Sequence, residues 1–256
     1  MTLKSFAHYN PDWQINLIVP EDPISQKESK KIWDEEQDYT YYDGADYTEQ
    51  AHEIVKVIKL KDFAPDYVKH PPNIIGDLLK WLVLGFGGGV FSDMDILFVK
   101  PFPYIKYNDI QTGIYKYLSG AYPAGFLIGN RSPLFQTAYF LSVKRLKKQL
   151  NNYQDMGPLL LRDAYWSVSN QSNITFIPNE TVYPFINGRG NGEKWQDHLA
   201  IPFLPKSEDI KLPDECFGIH WYGGCQAAKQ YNAIADHNTY KNMECLITRE
   251  IKRVIT

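Results

Sequence analysis

Residues 73–103 read NIIGDLLKWLVLGFGGGVFSDMDILFVKPFP, and the fold class turns on them. Prolines 71 and 72 punctuate the chain, and Asn73 has the side chain of a helix N-cap. Ile74, Ile75, Leu78, Leu79 and Leu82 recur at helical spacing, with Trp81 and Val83 widening the apolar face. Gly87, Gly88 and Gly89 stop the helix, because glycine adopts the left-handed C-cap without a Cβ clash. Residues 90–99 are β-branched, aromatic and almost continuously apolar, which predicts a strand buried on both faces. That strand carries two charges, Asp93 and Asp95.

A carboxylate in an apolar strand is costly to bury unless it is paired, hydrogen-bonded or bound to a metal. Two residues apart on an extended chain, the pair points to one side with Cα atoms roughly 6–7 Å apart. Local chemistry leaves two readings. Either the aspartates are solvated at a strand end, or they hold a divalent cation for a diphosphate, since hard oxygen ligands suit Mg²⁺ or Mn²⁺.

Outward from this core the pattern resembles a family. Asp77-Leu78-Leu79-Lys80, then residues 88–95 (GGVFSDMD), then Lys100-Pro101 are similar, in order and spacing, to the signature of Asp-x-Asp sugar transferases. That group takes in initiating mannosyltransferases, capsular-polysaccharide transferases and, more distantly, the glucosylating toxins. Lys80 stands where Arg is usual and Phe91 where Tyr is common. The resemblance implies an α/β, GT-A fold: a Rossmann-like, mainly parallel sheet flanked by helices. It also implies a metal-dependent glycosyltransferase using a UDP- or GDP-linked nucleotide-sugar donor, a glycan or other hydroxyl acceptor and Mn²⁺ or Mg²⁺. It places Asp95 on the metal, Asp93 on ribose, metal or both, and Asp77 and Lys80 over the donor sugar and diphosphate. A late His-Trp pair adds His220 at the metal or diphosphate and Trp221 at the donor. It further implies retention of anomeric configuration and a place in glycan or polysaccharide synthesis.

The chain has 256 residues, 44% of them hydrophobic and 22% charged, the balance of one sizeable globular domain. Its donor-binding half is expected over about 1–103 and its acceptor side over about 104–256. A net charge of −3 gives no electrostatic footprint for nucleic acid. The three cysteines, 216, 225 and 245, form no Cys-x-x-Cys pair; a sparse, odd count fits reduced thiols in a cytoplasmic setting. No apolar run approaches the eighteen residues of a membrane span, so the sequons at Asn170, Asn173 and Asn179 read as chance.

Along the chain, residues 2–9 read as the end of a short helix, 10–12 as a turn and 13–19 (WQINLIV) as a strand. A helix around 24–36 and a polar loop with Tyr39, Tyr41 and Tyr42 follow. The alternation in 53–60 (EIVKVIKL) predicts a half-buried strand. Strands are predicted at 113–117, 125–128, 174–177 and 182–184, and helices at 132–149 and 159–166. Residues 187–192 (NGRGNG) lack the Lys-Ser/Thr and helix of a phosphate loop and read as a plain loop. Residues 226–256 form a closing helical tail.

Two competing functions stay open. One is a binding protein for nucleotide-sugars or glycans that has lost turnover. The other is a metal-dependent phosphohydrolase, for which Asp109, Asp155 and Asp163 are too scattered. Only nine residues precede Asn10, where members of the resembling family place a further central strand, so an N-terminally truncated sheet is expected. The slot beside the Asp-x-Asp strand should then lack a strand.

Overall fold

The computed structural model describes residues 1–19, 47–67, 70, 72–148, 153–186, 195–235 and 239–255. The helix expected at 24–36, the tyrosine loop at 39–42 and the loop at 187–192 lie outside the described residues.

In chain order the elements are α1 (Thr2–Tyr9), β1 (Asn16–Val19), α2 (Thr48–Ile54), β2 (Lys56–Lys59), α3 (Leu60–Phe63) and α4 (Pro72–Phe86). Then come β3 (Gly88–Ser92), β4 (Ile96–Phe98), α5 (Tyr104–Tyr107), β5 (Thr112–Ile114), β6 (Phe126–Asn130) and α6 (Pro133–Leu146). The chain closes with α7 (Pro158–Ser167), β7 (Ile174–Phe176), α8 (Trp195–Ala200), β8 (Gly218–His220), α9 (Gln226–Ile234) and α10 (Leu246–Ile255). The fold is mixed α/β.

The strands form three groups: β1-β2, β3-β6-β5-β7 and β4-β8. β1/β2 and β5/β7 are parallel, whereas β3/β6, β5/β6 and β4/β8 are antiparallel. This corrects the expected mainly parallel pairing among the described residues. β5 reaches β6 without a crossover helix, and such a link leads naturally to an antiparallel partner.

The single strand expected over 90–99 is two strands with a turn between them. β3 pairs with β6, and the chain then changes partner: the Asp93 N–H donates to Gly125 O at 2.7 Å, while Asp95 O accepts from Trp221 N at 2.9 Å. β4 continues against β8 with Ile96 opposite His220. The aspartates therefore sit where two sheets part. Other boundaries shift as well. Residues 53–54 end α2 rather than begin β2, residues 182–184 form no strand, and Asn73 lies within the first turn of α4.

The edge of β4 away from β8, which pairs with no strand among the described residues, meets α1. Thr2 Oγ1 donates to Met94 O, Ser5 Oγ accepts from Phe98 N at 3.0 Å, and Asn10 Oδ1 accepts from Phe102 N at 2.8 Å. Side chains of a helix thus satisfy backbone groups that another strand would otherwise take. β1 pairs only with β2 among the described residues and does not reach β4.

Apolar clusters fix these pieces. Leu78, Trp81 and Leu84 of α4 pack with Leu127, Phe135 and Leu160, and Trp81 Nε1 donates to Met156 O at 2.9 Å. Phe98, Phe102, Phe126 and Phe217 pack edge-on or tilted, with Phe6 and Trp13 against them. Leu97, Ile219, Leu246 and Ile251 bury the inner face of α10. No helix among the described residues is long and apolar enough to cross a membrane.

Candidate functional site

Helix α4 delivers Asp77 and Lys80, three apart, to one side of a cleft of about 480 Å³. Lys80 Nζ lies 2.6 Å from Asp77 Oδ1, donates to Ala124 O at 3.1 Å and stands 4.9 Å from the centre of the Phe91 ring. Its side chain is only 4% exposed. The ammonium is therefore a clamp inside the cleft wall, fixing the carbonyl next to Gly125, and is already bonded on two sides.

Gly125 shows why the clamp matters. A Cβ there would lie 2.6 Å from His220 Nε2 and 2.9 Å from Asp93 Oδ2. Only a hydrogen leaves room for the imidazole and the carboxylate to face each other. Gly157, at the start of α7, is likewise close to Asp77: its Cβ would meet the carboxylate at 3.1 Å.

The turn between β3 and β4 brings Asp93 and Asp95 to His220. His220 Nε2 is 3.2 Å from Asp95 Oδ1 and 3.9 Å from Asp93 Oδ2. One ligand atom from each of the three residues falls within 4.8 Å of the other two. Asp95 is held by its other oxygen, which accepts from Gly223 N at 2.9 Å. Tyr222, just before it, has φ of 50°, a left-handed turn that aims the Gly223 N–H at the carboxylate. The His220 ring lies against Tyr222 and Tyr183, with centroids 4.0 Å and 5.4 Å away. Its buried Nδ1 has no hydrogen-bond partner among the described residues.

Burial raises the Asp77 carboxyl above its ordinary pKa, and the Lys80 charge only partly offsets this. Burial also pushes Asp93 upward, but Lys80 and His220 together outweigh it, so its pKa falls below the ordinary value. Desolvation holds the phenols of Tyr117, Tyr183 and Tyr222 well up, so these remain neutral hydroxyl groups. Tyr117 and Tyr222 bond through their hydroxyls across the cleft, and Tyr183 Oη accepts from Phe126 N.

Two carboxylates and one imidazole are a hard, borderline donor set that fits Mg²⁺ or, better for the nitrogen, Mn²⁺. Asp77, Lys80, Asp93, Asp95 and His220 all line the one cleft; Trp221 does not. The Trp221 ring packs on the Leu97 cluster, and its contribution to the site is a backbone N–H on Asp95. Residues that sequence reasoning left out of the site also line the cleft, among them Tyr117, Gln154, Tyr183 and Cys225. Aromatic residues beside strands read as core, so nothing in the local pattern marked Tyr117 or Tyr183.

No family model matches the chain, and no curated protein matches it. A solved structure titled PaToxG Glycosyltransferase is similar at a TM-score of 0.43 and 18% identity, over 64% of this chain and 61% of that one. The chain thus spans less than two thirds of that neighbour's length.

Proposed function

We propose that this chain is a metal-dependent glycosyltransferase of GT-A type, moving a sugar from a nucleotide-sugar to an acceptor hydroxyl. One observation carries it. Asp93, Asp95 and His220 converge on a point in an open cleft, beside the Asp77–Lys80 pair of the neighbouring helix. Asp93, Asp95 and His220 would hold a divalent ion, with the Gly223 N–H fixing the Asp95 rotamer, and the ion would supply Lewis-acid neutralisation of charge on a departing diphosphate. Asp77, 21% exposed and braced by Lys80, accepts hydrogen bonds from sugar hydroxyls beside that point.

No side chain among the described cleft residues is arranged as a covalent nucleophile: Asp77 is ion-paired and the phenols are held neutral. Retention is what the resemblance to Asp-x-Asp sugar transferases implies, and we propose same-face displacement as its route. The donor-binding half, about residues 1–103, supplies the aspartates, and the remainder supplies His220 and the acceptor side.

The test is sugar release from a panel of UDP- and GDP-sugars with Mn²⁺, run beside isothermal calorimetry of Mn²⁺ with the matching nucleotide. Metal-dependent release that vanishes in Asp95→Ala supports the assignment; undiminished release in that variant sinks it. A second reading, binding without turnover, draws on the Lys80 placement, since the ammonium is spent on the wall. Saturable nucleotide-sugar binding with no release across the panel would favour it.

A further inference from the structure

A ledge of aromatic rings leads out of the cleft. Tyr122 lines the cleft, is 2% exposed, and its hydroxyl has no hydrogen-bond partner among the described residues. Its ring packs on Tyr165 with centroids 5.3 Å apart. Tyr165 in turn meets Trp166 at 5.3 Å and Phe176 at 5.8 Å. Trp166 and Phe176 are 68% and 44% exposed. The exposed Lys116 holds its ammonium 5.5 Å from the Tyr122 ring centre and 5.9 Å from that of Phe176. The rings come from the loop before β6, the end of α7 and the edge strand β7. Helix α7 begins in the cleft wall at Pro158, so Trp166, eight residues on, stands about 12 Å further along its axis.

Single exposed apolar residues are ordinary on a surface. Here the rings touch one another, and Tyr122 carries the series into the cleft lining. We infer that this ledge holds the distal units of an oligosaccharide acceptor whose reacting hydroxyl lies in the cleft. The inference rests on the transferase reading and names the acceptor class. A pyranose offers an apolar C–H face that packs on an aromatic ring, and hydroxyls around its rim. The first suits Trp166 and Phe176; the second suits the exposed Lys116 ammonium. The 12 Å reach requires an acceptor of several units, not one sugar. A peptide adding to β7 would find only three residues of ladder. Two exposed rings also fall short of the area that a stable dimer buries.

The test reads binding apart from turnover. Mannohexaose, maltohexaose, cellohexaose and chitohexaose, with their monosaccharides as controls, are titrated against the full chain by isothermal calorimetry. At least one hexasaccharide should bind, its monosaccharide should not, and Trp166→Ala and Phe176→Ala should each weaken binding by about tenfold, the scale of losing one anchoring ring. Donor hydrolysis without acceptor should stay at the wild-type rate in both variants. Absence of binding by all four hexasaccharides, or affinity unchanged in both variants, overturns the inference. So does a concentration-dependent dimer that Trp166→Ala dissolves, because a second copy then covers the ledge. Hexasaccharide binding that needs Trp166, with no sugar release from any donor, would leave the ledge standing and remove the transferase reading instead.

Discussion

A single methyl group separates a usable metal site from a blocked one. The Gly125 hydrogen faces His220 Nε2 across a gap that a Cβ would close to 2.6 Å. Gly125→Ala should therefore push the imidazole off Asp93 and Asp95 and weaken Mn²⁺ binding by about tenfold or more, the range seen when ligand orientation is lost. Calorimetric Mn²⁺ affinity that matches wild type would show that His220 does not need its observed position. Lys80 makes the complementary case. Its nearest carboxylate and the Ala124 carbonyl are both spoken for, so Lys80→Ala leaves Asp77 unpaired in the wall. Breaking one side of a largely buried pair costs about 3 kcal/mol, measurable as a shift in the urea midpoint. Lys80→Arg tests the family pattern directly. The related signature favours Arg, but the buried Lys80 ammonium is already fitted between Asp77 and the Ala124 carbonyl, so the larger guanidinium must displace that packing and should cost about 1–3 kcal/mol. A stability equal to wild type would show that the wall yields.

Helix α1 does the work of a strand, and that work can be measured. Ser5 Oγ and Asn10 Oδ1 accept from the backbone N–H groups of Phe98 and Phe102, both buried. Asn10→Ala strands the Phe102 N–H and should cost about 1–3 kcal/mol, with faster amide exchange at Phe102 as its local signature. Unchanged exchange there would mean water or another group takes the bond. At this scale the sequence was legible where structure is local. The 3.6-residue recurrence of α4, the Ser132 side chain capping α6 and the Gly-Pro start of α7 are each decided by neighbours in the chain. It was not legible where partners are remote. The apolar run at 90–99 says strand, but only Gly125 and Trp221, far along the chain, decide that it breaks at the aspartates. Likewise the alternation in 53–60 cannot reveal that α2 runs to Ile54. The Asp-x-Asp and His220 were visible as residue types with an unusual context. The Gly125 gap and the Gly223 hold on Asp95 are tertiary facts with no local trace.

Across the whole molecule, the three cysteines sample two regions of the fold and make its cooperativity measurable. All are free and buried. Cys216 sits at the base of the β4-β8 pair, and burial pushes its thiol up to about 12. While it stays buried, that thiol is neutral and unreactive at pH 8. Cys245 packs in the same cluster under α10. Both should label with iodoacetamide only through global opening, at one shared rate. Cys225 differs: it lines the cleft and caps α9, its Sγ accepting from Ala228 N. Local opening of the Tyr222 turn releases it without unfolding either core. Mass spectrometry of pulse-labelled protein should find Cys225 modified first, and Mn²⁺ with a bound nucleotide should slow that step while leaving the other two unchanged. Ligands that bind only the native cleft stabilise it in this way. Equal labelling of all three, with or without Mn²⁺ and nucleotide, would mean the cleft and the α10 core open as one unit. In that case the metal turn is no looser than the fold that carries it.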